Sequence, residues 1–181
     1  AELQKLMDQA GKGDKLEAWD WWYYTEKLRK EKYDLEEDQI KPYFKLENVR
    51  EGAFAVANKL YGITLTKLNN VPVYHPDVEV FEVKDAYGSQ LGIFYVDYFP
   101  RAGKSGGAWM SNYREQKGDI SPLVCNVASF TKPVGDTPSL LTIDEVETLF
   151  HEFGHALHGL LTKCNYLGVS GTNVVRDFVE L

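Results

Sequence analysis

The most constraining stretch of the chain is Phe150-His151-Glu152-Phe153-Gly154-His155, which sets two histidines four residues apart inside an amphipathic run. On a helix, residues four apart stack on one face, so His151 and His155 can aim both imidazoles at one cation. H-E-x-x-H on a helix is a zinc-site pattern, in which the intervening Glu is the general base of a hydrolytic reaction. Glu152 sits one position round from His151, so its carboxylate hangs beside the metal rather than on it. From there it can reach a water that the cation activates. The flanking sequence supports a helix. Thr142-Ile143-Asp144-Glu145 reads as a capping box, a Thr N-cap with Glu three residues on. Ile143, Val146, Phe150, Phe153, Leu157, Leu160 and Leu161 then recur at helical spacing over five or six turns.

Two histidines and a water leave one protein ligand to find. A third His six residues after the second would follow the metzincin pattern, but His158 and Leu161 stand at the positions that pattern gives to Gly and His. The alternative is a carboxylate from a later helix. Downstream acids are few, Asp177 and Glu180, on a run that can begin such a helix. Asp177 fits two roles equally, orienting a ligand imidazole or capping the last helix. His158, seven residues after His151, is a candidate for the layer around the metal or for a helix C-terminal role. His75 lies off the motif and reads as structural.

The 181-residue chain has a net charge of −7. That balance argues against a nucleic-acid or anionic-membrane partner, because both need a basic face. No apolar run approaches the length of about 20 residues that spans a bilayer. Cys125 and Cys164 fall on different expected elements and read as free thiols, which favours a reducing, cytoplasmic compartment.

Along the chain, Glu2–Gln9 and Glu17–Glu31 read as helices, with a break at Gly11-Lys12-Gly13. Trp19, Trp22, Tyr23 and Leu28 form a face for packing in the core or against further chain. Asp34 is the expected cap of a short helix that Pro42 interrupts. Glu47–Tyr61 is a helix with Val49, Phe54, Val56, Ala57 and Leu60 inward and Gly62 at its stop. From Ile63 the pattern changes to strands, at 63–66, 78–83, 91–99 and 121–130. The order predicts an α+β fold, with N-terminal helices (1–62), a small mostly antiparallel sheet with loops (63–141), and the metal-binding helices (142–181).

Gly103-Lys104-Ser105 resembles the end of a phosphate loop, but Tyr98 replaces the glycine that loop needs, and Gly106-Gly107-Ala108-Trp109 is a poor helix start. The extended Gly106–Asn112 segment has another use. Main-chain hydrogen bonds at a sheet edge grip any peptide, and glycines admit a second backbone. Gly107, Ala108 and Trp109 are therefore candidates to pair with a substrate backbone, with a plain glycine loop as the alternative.

Taken together, HEFGHALHGL followed by SGTNVVRDFVE resembles the thimet oligopeptidase (M3) family of zinc peptidases. The blocks Trp19-Asp20-Trp21, Val73-Tyr74-His75-Pro76-Asp77, Lys104 to Met110 and Phe130-Thr131-Lys132-Pro133 look most like its bacterial peptidyl-dipeptidase branch. The resemblance runs from about Trp19 to Leu181. It implies one Zn²⁺ per chain held by His151, His155 and Glu180, with Glu152 as the catalytic base. It implies short peptides as substrates and release of C-terminal dipeptides. It also implies that the chain is part of a single larger catalytic domain. The remainder of the polypeptide is then expected to pack against it and to supply the oxyanion donors, leaving the 181 residues alone inactive or weakly active. A non-enzymatic binding module that keeps the fold is the rival reading.

Overall fold

The computed structural model describes residues 2–11, 15–33 and 37–180, which divide into two compact units, Ala1–Pro42 and Tyr43–Leu181. The expected break at Lys12-Gly13 and the Asp34 cap fall outside the described residues.

In the first unit, α1 (Glu2–Gln9) packs on α2 (Trp21–Tyr33), and α3 (Glu37–Ile40) follows. Its core is small: Leu3, Met7 and Tyr24, with Leu6, Leu16 and Leu28 packed against it. The aromatic face expected around Trp19, Trp22 and Tyr23 is on the other side. Trp19 and Trp22 are each about four-fifths exposed, while Tyr24 is buried. Thirteen residues whose apolar positions circle the helix give periodicity little to choose between.

The second unit begins with α4 (Leu46–Tyr61), which ends where Gly62 takes φ +69° and returns its amide to Asn58. Val49, Ala53, Phe54 and Ala57 are buried. Val56 and Leu60, expected inward, face solvent, because the stripe follows 49, 53, 54 and 57 round the helix. Five strands follow: β1 (Thr64–Leu68), β2 (Glu79–Lys84), β3 (Gln90–Asp97), β4 (Trp109–Arg114) and β5 (Leu123–Val127). Their order is β1-β2-β3-β5-β4, antiparallel throughout except for the parallel β3–β5 pair. The fold is thus α+β with a small, largely antiparallel sheet. β4 is an edge strand, and its extended character had been legible while its place in the order had not.

The chain then enters α5 (Ile143–Leu161). The Thr142 hydroxyl accepts from the Glu145 amide at 3.1 Å and the Glu145 carboxylate accepts from the Thr142 amide at 2.9 Å, which completes the capping box. Leu149, Phe153, Ala156 and Leu160 are its buried stripe, while Phe150 and Ile143 are exposed, contrary to expectation. That stripe lies on one face of the sheet with α4. Phe54, Phe94 and Phe153 stack within 6.4 Å of one another at the centre, joined by Phe81, Val83, Val96 and Val124. The helix lies very close to the strands. A Cβ on Gly159 would stand 2.7 Å from the Met110 methyl, which would have to move aside to admit it. A loop leads to the short α6 (Arg176–Val179). None of the described helices is long and apolar enough to cross a membrane. Both cysteines are free.

Candidate metal centre and edge strand

The capped, buried stripe of α5 fixes the helix's rotation on the sheet, and that rotation turns His151 and His155 to the margin. Their rings stand 4.5 Å apart and nearly perpendicular, with the two Nε2 atoms 3.0 Å apart. Glu180 comes from beyond α6. Its Oε2 lies 3.3 Å from His151 Nε2 and 3.6 Å from His155 Nε2. Among the described residues these are the three His, Cys, Asp or Glu side chains whose donor atoms gather closely enough for one ion. A tetrahedral zinc with ligands at about 2.0–2.1 Å would hold them about 3.3 Å from one another. The three observed separations bracket that value, and two imidazoles with a carboxylate are a fitting donor set. Three donors leave a fourth direction open, toward a cavity of about 290 Å³ lined also by Glu152, Ala108 and Trp109.

Glu180 is 29 residues from His151 in the chain, so its approach depends on the intervening loop. Gln116 pins that loop. Its side-chain oxygen accepts from the Cys164 amide, its backbone oxygen accepts from the Ser170 hydroxyl, and its amide nitrogen donates to Gly118, each at 2.7 Å. Asn173 bonds Glu115 at 2.9 Å. Sequence reading passed over Gln116, because a lone Gln after a strand carries no periodic or motif signal.

Glu152 is half-buried between the helix and the sheet edge. Burial raises its carboxyl above the usual range, the neighbouring His151 and His155 oppose the rise, and Glu180 adds to it. The Met110 amide, on the edge strand, favours the charged form.

The remaining sequence candidates separate. Ala108 and Trp109 line the cavity beside the three donors, whereas Gly107, at φ +96°, is not among its walls. His158 stands against Phe178, ring centroids 6.5 Å apart, outside the trio. Asp177 is exposed, and no described hydrogen bond joins it to either imidazole. Nor does it cap α6, whose N-cap is Val175, so Asp177 lies inside the first turn. Arg101, Lys104 and Arg114, the nearby bases, have internal partners. Arg101 and Lys104 bind Asp97, Lys104 also donates to three backbone oxygens, and Arg114 donates to Ser121.

What the fold and the trio delimit is a candidate metal centre of nitrogen and oxygen donors beside an edge strand. The sequence pattern of peptidase family M3 matches residues 1–181, and the chain belongs to that family. It is 50% identical to a dipeptidyl carboxypeptidase of Salmonella typhimurium over 99% of this chain and 27% of that protein. The corresponding Escherichia coli protein is 49% identical over the same shares. Oligopeptidase A of E. coli is 42% identical over 93% of this chain and 26% of its own length. The chain therefore spans about a quarter of the curated relatives it matches.

Proposed function

We propose that the polypeptide carrying this chain is a zinc peptidase acting on short peptides, with His151, His155 and Glu180 holding the metal and Glu152 as the proton-transferring group. The observation that carries this reading is the spacing of the three donor atoms, 3.0, 3.3 and 3.6 Å. Family membership and the unpaired β4 edge support it.

Zinc in such a site supplies Lewis acidity, lowering the pKa of a water to near 7 and polarising a carbonyl. The protein's own part is positional. β4 offers its free edge to the substrate backbone at Ala108 and Trp109, so that grip is independent of side chains. Glu152 Oε takes the proton from the attacking water and returns it to the leaving amine, one carboxylate serving as base and then acid. α5, sealed against the sheet below, excludes water from the protein side. Release of C-terminal dipeptides is the finer form of this reading, drawn from the dipeptidyl carboxypeptidase relatives. With Arg101, Lys104 and Arg114 all engaged, the cation that holds a substrate's terminal carboxylate comes from outside these residues. The 181 residues alone are then expected to turn over poorly.

The test is hydrolysis of a quenched peptide by the natural polypeptide, with and without chelator, beside Glu152→Gln. Cleavage should stop with chelator, return with zinc, and fall about 10³-fold in the variant. Cleavage untouched by both treatments rejects the proposal.

A further inference from the structure

The opposite face of the sheet holds a second cavity, of about 610 Å³, on the side away from α5. Side chains alternate along β4, so Met110 and Asn112 turn toward α5 while Trp109, Ser111 and Tyr113 turn away. Ser111 is small and is flanked on its own face by two large rings, and behind it the wall is Cys125 and Tyr74. The wall is rigidly held. Asp97, 2% exposed, accepts from the Tyr74 hydroxyl at 2.9 Å, from Arg101 at 2.7 and 2.8 Å, and from Lys104 at 3.0 Å. Tyr74 and Tyr95 each meet Tyr113 edge to face. This cavity and the one beside the three donors share one residue, Trp109.

We infer that this cavity is a specificity pocket for one substrate side chain, an aromatic or large apolar one. The inference rests on the edge-strand reading above and deepens it. A peptide paired along β4 alternates its own side chains across the sheet plane, just as β4 does. A residue whose neighbours face the metal-side cavity must therefore send its side chain to the far face. There the gap over Ser111, between Trp109 and Tyr113, receives it. A strand advances about 3.3 Å per residue, so the pocket belongs to a residue one or two positions from the cleaved bond. Its chemistry follows from the walls. One indole (Trp109), two phenols (Tyr74 and Tyr113) and the Cys125 thiol favour an aromatic guest. Two bases against one acid, Arg101 and Lys104 against Asp97, disfavour a lysine or arginine.

The experiment uses the unaltered natural polypeptide first. Each position within two residues of the scissile bond is varied through Gly, Ala, Leu, Phe and Lys, and kcat/KM is read for every peptide. One position should prefer Phe over Ala by about tenfold or more and should rank Lys below Ala. Ser111→Phe, which fills the gap, should lower that Phe-to-Ala ratio about tenfold at the same position and move no other position's ratio. No preference at any of these positions, as expected if further chain covers the cavity, overturns the inference. So does a ratio unmoved in a folded Ser111→Phe protein. In either case, if Glu152→Gln still abolishes cleavage, the peptidase reading stands without the pocket. If Glu152→Gln does nothing, the reading itself has failed.

Discussion

The two faces of one sheet are built to opposite plans. Against α4 and α5, even-numbered residues of β3–β5, with Phe81 and Val83 of β2 beside them, close an aromatic and aliphatic layer in which Phe94, Val124 and Ala156 have no exposed surface. On the other side, odd-numbered neighbours in the same strands carry Asp97, Tyr95, Ser111, Tyr113 and Cys125, and the chain leaves an open cavity there. Alternation with a period of two lets a five-residue strand serve both plans at once. The face that fixes the helix needs packing density, and the face beside it needs shape that stays put without being filled. Buried ions bonded on every side supply that second kind of rigidity.

The comparison makes graded demands on stability. Phe153→Ala, at the centre of the packed face, should cost about 4 kcal/mol in denaturant unfolding. Asp97→Ala, on the far face, should cost less, about 3 kcal/mol, by leaving Arg101 and Lys104 without their partner. If Asp97→Ala proves the more damaging, the ionic face is the main support and the contrast inverts. Acid probes the same carboxylate. Burial alone would raise it, but Arg101, Lys104 and Tyr74 outweigh that and hold it at about 2. Its folded value lies below the ordinary one, so its contribution is present above pH about 4 and lost as pH falls through about 2. Wild type should lose about 2 kcal/mol over that window, a loss that Asp97→Asn lacks, as unfolding measured at pH 5, 3 and 2 would show. The smallest effect belongs to the entry of α5. Thr142→Ala removes one half of the capping box and should cost about 1 kcal/mol, read as a lowered melting temperature.

What could be read in advance divides along similar lines. The helix carrying His151 and His155 was legible because a cap, a periodic stripe and a motif coincide in one local stretch. Four of the five strands between Ile63 and Phe130 were legible from alternation, though each boundary moved by a residue or more, while β4 was read only as an extended segment. Helix faces were read less well. Val56, Leu60 and Phe150 are apolar and correctly spaced for a stripe, yet exposed, because burial depends on where the sheet lies. Least legible was everything made by distant partners. Nothing local joins Asp97 to Tyr74, or Gln116 to Cys164 and Ser170, separations of 23, 48 and 54 residues. Glu180 was reached through resemblance, since spacing alone left it level with Asp177.

The bare margin of β4 has a cost. A row of unanswered amides and carbonyls captures backbone without regard to its owner, and Trp109 and Tyr113 make the strip adhesive. Where nothing shelters it, concentrated chains will add to one another's sheets there. Turbidity that a charged replacement at Tyr113 suppresses would be the visible sign of that aggregation.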